Sequence, residues 1–376
     1  MSRRVVILAA VFLVVSAWCV PAFCFDGHDD GDDEGIAGAA YTMTNSAERN
    51  SVVIYHRSSD GMLSPAGEVP TGGRGTGAGL GSQGSIVLNA SNRRLLVVNA
   101  GSDEISVFDV RTEGLTLAGA FASGGHTPIS VTVHGRLVYV LNAGTPNNVT
   151  GFFLGDGGTL TPIPDSTREL SAPQTGPAQV QFSPDGDLLV VTEKGTNLID
   201  VFPVGPNGVP GQRVSTASNG ATPFGFAFGK RNQLIVSEAF GGAPNASAVS
   251  SYEAHEDGSL ELVTGSAPTH QTAACWIVVN SGGRLTYTTD TGSSSITGFR
   301  IGRGGELTAI TADGRTGVTP PGSAPIDEAF SNDGRFLFAL TSSVPGISGF
   351  RVEPDGRLRP IGRIAAPATS VGLAVR

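Results

Sequence analysis

The sequence predicts an all-β fold, a seven-bladed β-propeller with four strands in each blade. Two observations predict it: an aromatic residue and a glycine recur at a fixed spacing seven times, and the two ends of the chain carry complementary parts of one repeat. Units of this length that each hold four short strands are typical of a ring of small sheets. An open solenoid is the alternative, but it needs polar caps rather than complementary ends.

The repeat is defined by its third strand and the turn after it. The aromatic residue ends a short β-type run and the glycine follows six positions later: Tyr55/Gly61, Phe108/Gly114, Phe152/Gly158, Phe202/Gly208, Tyr252/Gly258, Phe299/Gly305 and Phe350/Gly356. Several glycines complete an Asp-Gly or Asn-Gly pair, which supplies the positive φ angles of a tight hairpin. Each repeat is therefore predicted to carry a hairpin between its third and fourth strands.

A second hairpin lies upstream in six of the seven repeats, most clearly in residues 180–191 with their Ser-Pro-Asp-Gly turn. The first repeat lacks it and begins with its second strand near residues 41–44. An apolar run, residues 371–376, is left over at the C-terminus. We expect this run to be the innermost strand of the first blade, which closes the ring.

Three segments are predicted: a signal peptide over residues 1–22, an acidic disordered tail over 23–37 and one propeller over 38–376. Arg3 and Arg4 precede an apolar stretch too short to span a membrane, and cleavage is expected before Phe23 or after Cys24. The sequence thus predicts a secreted or periplasmic protein without a membrane span, and we expect a monomer.

The formal charge of −9 arises largely from residues 26–34, which hold six acidic side chains. The rest of the chain has no basic stripe that could neutralise phosphates along a strand, so nucleic acid is excluded as a partner. Cys275 lies in an apolar stretch and is interpreted as a small buried hydrophobe, with a bridge to Cys24 as the alternative. No cofactor motif and no metal-ligand spacing is present.

A tyrosine-valine-asparagine-like motif of the YVTN type closes the strands at residues 95–101 and 138–144. It recurs together with a proline, an inner strand and a Ser-Pro-Asp-Gly turn. This pattern resembles the lactonase-like seven-bladed propellers, which include bacterial 6-phosphogluconolactonase and fungal carboxymuconate cyclase. The resemblance covers residues 38–376. It is specific for the fold and not for an activity.

The resemblance implies catalytic positions that this chain fills with other residues. An arginine and a histidine typically follow the proline of one inner strand, where Ala178 and Gln179 stand here, and a glutamate typically occupies the position of Lys194. A further arginine corresponds to Thr291, and an earlier histidine falls on Ile129, near His126. Without an arginine, the anionic lactones of the family have no evident clamp.

Polar residues at the ends of second strands and the starts of inner strands are predicted to meet at one mouth of the channel. The expected ligand-binding residues are Gln179, Glu193, Glu238, Trp276, Asp290 and Asp327. Catalytic residues stay unassigned, with Glu193, Glu238 and His126 as candidates. Carboxylates beside an indole could coordinate a metal, bind a cationic or sugar ligand, act as an acid/base pair, or be solvated caps of strand ends.

Two functions follow from these residues. The unmatched catalytic positions favour an exported binding or scaffold protein that recognises a small molecule, a glycan or a protein at the channel mouth. The alternative is an enzyme, a lactone hydrolase or cycloisomerase of the 6-phosphogluconolactonase or carboxymuconate cyclase type.

Overall fold

The structure is a computed structural model that describes residues 35–112 and 114–376. The predicted signal peptide, residues 1–22, and most of the predicted acidic tail, residues 23–37, lie outside the described residues, as does Cys24. The described part consists of strands and turns, with one 3₁₀ turn at Phe240–Gly242. No helix among the described residues is long and apolar enough to cross a membrane.

Seven antiparallel sheets follow one another along the chain. The strands of blades 1 to 3 are β1 (Gly38–Met43), β2 (Ser51–Arg57), β3 (Leu63–Pro70); β4 (Ile86–Leu88), β5 (Arg94–Asn99), β6 (Glu104–Arg111), β7 (Gly114–Ala122); β8 (Pro128–His134), β9 (Leu137–Asn142), β10 (Asn148–Leu154), β11 (Leu160–Pro162) and β12 (Arg168–Glu169). The strands of blades 4 and 5 are β13 (Pro177–Phe182), β14 (Leu188–Glu193), β15 (Leu198–Pro203), β16 (Val214–Ala217); β17 (Pro223–Phe228), β18 (Gln233–Glu238), β19 (Ala248–Ala254) and β20 (Leu260–Pro268). The strands of blades 6 and 7 are β21 (Ala274–Val279), β22 (Leu285–Asp290), β23 (Ser295–Ile301), β24 (Leu307–Ala309), β25 (Gly317–Val318); β26 (Pro325–Phe330), β27 (Phe336–Thr341), β28 (Gly346–Val352), β29 (Leu358–Ala365), and the closing strand of blade 1 is β30 (Val371–Val375).

The ring closes where the sequence predicts it. Strand β30 pairs antiparallel with β1, with Ala40 opposite Val375 and Tyr41 opposite Ala374. The backbone N–H of Arg376 donates to the carbonyl of Ala39 at 2.8 Å. Blade 1 therefore takes three strands from the start of the described chain and its inner strand from the end. The predicted fold class, seven blades of four antiparallel strands, is confirmed.

The repeated aromatic residues and glycines hold neighbouring blades together. All seven aromatic side chains are buried, each with an exposed fraction of 3% or less. All seven glycines have positive φ, between 79° and 147°, as the predicted hairpins require. A Cβ added at Gly61 would lie 2.5 Å from the ring of Phe336 in blade 7. The Tyr139 hydroxyl of blade 3 donates to the carbonyl of Gly208 in blade 4 at 2.6 Å.

The inner strands line a central channel with two ends. We call the end where inner strands begin and second strands stop the upper face, and the opposite end the lower face. Most inner strands are irregular at their upper start, as between Pro177 and Gln179 or between Ala274 and Ile277. Such bulges leave ladder groups unpaired and re-aim side chains next to sites.

Removing residues 371–376 should abolish the cooperative unfolding of the propeller. The deletion strips β30 from β1 and removes the buried side chains of Val371, Leu373 and Val375, whose burial contributes about 1.5–3 kcal/mol each. It also creates an open sheet edge that promotes aggregation. Thermal unfolding followed by circular dichroism, with size-exclusion chromatography, measures the effect. The control Leu262→Ala, on an outer strand where the side chain is 47% exposed, should leave the melting curve unchanged. A truncated chain that melts like the full protein would contradict ring closure by β30.

Candidate functional site

A short segment of the connection between β3 and β4 lies across the upper mouth of the channel. We call residues 79–84 the plug. The Ser82 hydroxyl donates to the carbonyl of Ile129 in blade 3 at 2.8 Å, and the Gln83 N–H donates to the carbonyl of Ala178 in blade 4 at 3.0 Å. The plug thus contacts blades beyond the two that it connects.

The plug also reaches blade 6 on the far side of the channel. The Gln83 amide donates from Nε2 to the carbonyl of Ile277 at 2.7 Å and accepts from the Ile277 N–H at 3.0 Å. The Trp276 indole N–H donates to the carbonyl of Ser82 at 2.8 Å. Because β21 is the edge strand of its sheet, its channel side has no neighbouring strand, and the glutamine amide satisfies backbone groups that the sheet leaves unpaired there.

Lys194 lies under the edge of the plug. Its ammonium donates to the carbonyl of Gly81 and sits 4.8 Å from the centroid of the Phe224 ring, which is 4.7 Å from the ring centroid of Trp276. Among the described residues no carboxylate lies within 4 Å of this amine. Burial lowers the pKa of Lys194, and the nearby Cys275 opposes the shift only in part. The result is an amine with an increased neutral fraction.

Cys275 lies in the same apolar cluster as Phe224 and Trp276. Its side chain is buried, in agreement with the prediction of a small buried hydrophobe. Burial raises the pKa of the Cys275 thiol to about 12. The thiolate is therefore scarce near neutral pH, so the thiol is a poor nucleophile.

Three of the expected ligand residues, Glu193, Glu238 and Asp290, are fully buried inside their blades. Each carboxylate accepts hydrogen bonds from nearby segments. Ser171 and Thr196 donate to Glu193; Gly220, Ser250 and Ser266 donate to Glu238; Ser295 and Thr297 donate to Asp290. The equivalent strand ends in blades 2 and 3 carry Asn99 and Asn142, which are also buried and hydrogen-bonded. These side chains therefore hold loops and third strands in place. Their contact with a ligand stays a prediction, and their burial does not favour it.

Gln179 and Asp327 do line the channel, but both bond to the backbone of the neighbouring blade. The Gln179 amide accepts from the N–H of Phe226 at 2.7 Å and donates to its carbonyl at 2.9 Å. The Asp327 carboxylate accepts from the N–H of Glu328 at 2.8 Å and from that of Leu373 at 3.0 Å. These side chains connect adjacent inner strands.

Below Gln83 the channel forms a cavity of about 360 Å³ lined mostly by aliphatic side chains. Two carboxyl groups are buried along it. Burial raises the pKa of Asp327 to about 8 and raises that of Glu328 well above its usual value. Neither carboxyl oxygen of Glu328 has a hydrogen-bond partner among the described residues. No group of three or more His, Cys, Asp or Glu side chains in residues 35–112 and 114–376 is arranged to hold a metal ion.

His126 lies apart from this set on an exposed upper loop, with a side chain that is 73% exposed. Its Nδ1 is 2.8 Å from the Asp103 carboxylate, which also accepts from the N–H of Thr127. Thr291, at the position of a family arginine, donates to the carbonyl of Pro325 at 2.8 Å. The structure therefore brings Trp276, Gln179 and Lys194 to the plugged mouth and leaves His126 at the surface.

The plug is the feature that sequence reasoning missed. Its glycine-rich approach, residues 72–81, is typical of a flexible connection between blades and does not indicate where the segment ends up. The partners of the plug lie in blades 3, 4 and 6. Contacts between residues so far apart in sequence cannot be predicted from a local pattern.

The ring of seven antiparallel sheets defines a seven-bladed β-propeller. The chain matches the family model described as "Lactonase, 7-bladed beta-propeller" over residues 37–169 and 179–372. It therefore belongs to this family, which confirms the resemblance found in the sequence. No curated protein matches the chain.

Several solved structures share the fold. A protein from Bacteroides uniformis assigned as a 6-phosphogluconolactonase is 18% identical with a TM-score of 0.73, over 91% of this chain and 100% of that one. A counterpart from Bacteroides fragilis is 18% identical with a TM-score of 0.68, over 90% and 98%. The periplasmic gluconolactonase of Pseudomonas aeruginosa is 16% identical with a TM-score of 0.70, over 89% and 99%. At these identities the likeness establishes the fold alone.

Glu328→Gln should stabilise the protein at neutral pH and flatten its pH dependence. The buried carboxyl keeps its proton at a pH where the unfolded chain, with a pKa of 4.5, releases it, so folding takes up a proton and stability falls as the pH rises above that value. Glutamine removes this penalty, because it has no proton to release.

Urea unfolding between pH 5 and 8 measures the free energy of unfolding of both proteins. A residual decline is expected in the variant, because Asp327 contributes in the same direction up to about pH 8. Glu261→Gln, at a side chain that is 73% exposed, serves as the control and should change little. A wild-type stability that rises from pH 5 to 8, or a destabilised glutamine variant, would contradict the assignment.

Proposed function

We propose that the protein is a lactone hydrolase whose active site is the upper mouth of the channel. Membership of the lactonase family supports the reaction class. The observation that carries the proposal is Lys194, a half-buried amine with no carboxylate partner within 4 Å. Lys194 stands at the position where the sequence resemblance implies a catalytic glutamate. A neutral lysine amine accepts a proton, as a carboxylate does, so Lys194 can serve as the base in place of that glutamate.

In this proposal the neutral Lys194 amine is the general base. It takes a proton from water as the water oxygen bonds to the lactone carbonyl carbon. The ammonium so formed stabilises the negative charge on the tetrahedral intermediate. The ring C–O bond then breaks, and the leaving alkoxide takes the proton back from Lys194, which yields the open hydroxy acid.

The charge of the site favours an uncharged lactone. The positions to which the resemblance assigns arginines hold Ala178 and Thr291, so they offer no permanent cation to pair with a phosphate or carboxylate of the substrate. Phe224 and Trp276 offer aromatic faces of the kind that pack against a sugar ring. An unphosphorylated aldonolactone fits these features, and one structural neighbour is named a periplasmic gluconolactonase.

Substrate entry requires the plug to move. Gly79, Gly81 and Gly84 lie within it, and their backbone freedom favours such an opening. The bonds that must break are those of Ser82 and Gln83 to the inner strands. A few hydrogen bonds of about 1 kcal/mol each hold the closed form, an energy that substrate binding can offset.

A second function, a binding or scaffold propeller, is favoured by one specific observation. The plug occupies the mouth where a substrate would bind, and the buried amides of Gln83 and Gln179 are already paired with backbone. In that case the upper face is a closed surface that recognises a partner, and no lactone reaches Lys194.

Lys194→Met should lower kcat/KM for glucono-δ-lactone by at least about 100-fold without loss of the fold, since a general base typically contributes that much. Lys194→Arg should fail equally, because a guanidinium keeps the charge but does not accept a proton near neutral pH. In the wild type the rate should rise with pH, with a midpoint below the ordinary lysine value of 10.5, because only the neutral amine is active.

A lactone assay monitored by acid release, with melting temperatures recorded in parallel, measures these effects. His126→Ala should retain turnover, since its side chain is paired with Asp103 at the surface. Full activity in Lys194→Arg would reassign Lys194 to charge stabilisation. A wild type without turnover, yet with a fold that ligands stabilise, would favour the binding protein.

We propose that the chain acts outside the cytoplasm. Support comes from the basic start, the apolar stretch and the small residues of positions 1–22. N-terminal sequencing of protein recovered from the periplasm or medium should give Phe23 or Phe25 as the first residue. A control lacking residues 2–22 should stay in the cytoplasm. Exported material that still begins at Met1 would contradict cleavage.

A further inference from the structure

The lower face carries a concentrated positive charge that the proposed activity does not use. A depression of about 690 Å³ lies between the turns of blades 5, 6 and 7. Five cationic side chains line it, and all are exposed: Lys230, Arg231, Arg284, Arg300 and Arg303. They make up about a fifth of the 24 Lys and Arg residues of a chain with a net charge of −9. Such clustering in an acidic protein costs free energy through repulsion unless an anion offsets it.

No carboxylate pairs directly with these cations, although Glu306 lies in the same turn as Arg303. Among the described residues none of the five cations forms an ion pair within 4 Å. Arg300 donates to the backbone carbonyl of Asp355, whose carboxylate lies 3.7 Å from Arg357 instead. The carboxylate of Glu306 accepts from the N–H of Gly304.

The fold contains a matched depression in which carboxylates neutralise part of the charge. It lies on the same face between blades 2 and 3, also measures about 690 Å³, and is lined by Arg93, Arg94, Arg111 and Arg136 together with Asp109 and Asp156. Arg94 pairs with Asp109, and Arg111 lies 3.6 Å from the same carboxylate. Arg136 lies 3.9 Å from Asp156.

One difference between the two depressions is a charge reversal at an equivalent turn position. Arg136 and Arg284 are equivalent, because each accepts through its carbonyl from the N–H at the end of the third strand, at Leu154 and Ile301. Asp156 follows Leu154 by two residues, and Arg303 follows Ile301 by two. Where blade 3 places an aspartate beside its arginine, blade 6 therefore places a second arginine.

We propose that this depression binds a small molecule that carries two or more phosphate groups, with Arg284, Arg300 and Arg303 as the principal contacts and Lys230 and Arg231 at the rim. Guanidinium groups match phosphate oxygens in bidentate pairs. A phosphate ester or anhydride supplies up to two charges per group, so two or three groups balance five cations. The volume lies in the range of small-molecule sites, and the site is on the face opposite Lys194.

Tripolyphosphate is the probe, and its binding is measured by isothermal titration calorimetry at low salt together with the shift in melting temperature. Wild-type protein should bind it and melt at a higher temperature. Arg303→Asp, which places an aspartate beside Arg284 as blade 3 does beside Arg136, should weaken binding by at least about tenfold in Kd. The matched variant Arg136→Gln, in the partly neutralised depression, should bind like the wild type. Because the side chains of Arg303 and Arg136 are exposed, both variants should fold, and circular dichroism verifies this.

Four results would overturn the proposal: no binding of tripolyphosphate by the wild type, equal binding by Arg303→Asp, tighter binding of citrate, or tighter binding of a single-stranded oligonucleotide. Binding should also weaken as salt is added, since ion pairs at an exposed site are screened. Lactone turnover measured on the same variants should be unchanged. The phosphate site and the lactonase site can therefore fail independently of each other.

Discussion

The closed circle of inner strands is the constraint on which the rest of the structure depends. Each sheet is small and has two faces to bury, so it is stable only between two neighbours. The circle is completed by hydrogen bonds between β30 and β1, which join residues more than 300 positions apart. Once the ring is closed, the glycine turns can pack against the preceding blade, as Gly61 does on Phe336, and the tyrosine hydroxyls can reach across blade boundaries.

The starts of the inner strands impose a second constraint. Each inner strand is the edge of its sheet, so its channel-facing backbone groups have no ladder partner in a buried place, and such groups require hydrogen bonds. Gln179 pairs with Phe226, Gln83 pairs with Ile277, and Asp327 accepts from Leu373. Polar side chains at the channel mouth are therefore needed to satisfy the backbone even without a ligand. Their presence alone is a weak indication of a binding site.

The two faces of the propeller differ in chemistry as a result. The upper mouth is closed by the plug, and Phe224 and Trp276 line it around the amine of Lys194. Its low polarity is what shifts Lys194 toward its neutral form. The lower face is open to solvent and carries charged turns whose side chains vary from blade to blade, so one turn position holds Asp156 in blade 3 and Arg303 in blade 6.

The sequence by itself determined the blade count, the hairpin turns and the closing strand, because these depend on local patterns that repeat: the buried aromatic, the glycine at positive φ and the apolar run at residues 371–376. It also placed Lys194 at the position where the resemblance to the lactonase family implies a catalytic glutamate. Only the tertiary structure decided which way the side chains point. Glu193, Glu238 and Asp290 end second strands as predicted, yet hydroxyls and amides from surrounding segments draw them into the blades. The plug depends on contacts between Gln83 and Ile277, 194 positions apart, and pairings at that range leave no periodic signal in the chain, because they are set by how the blades come together.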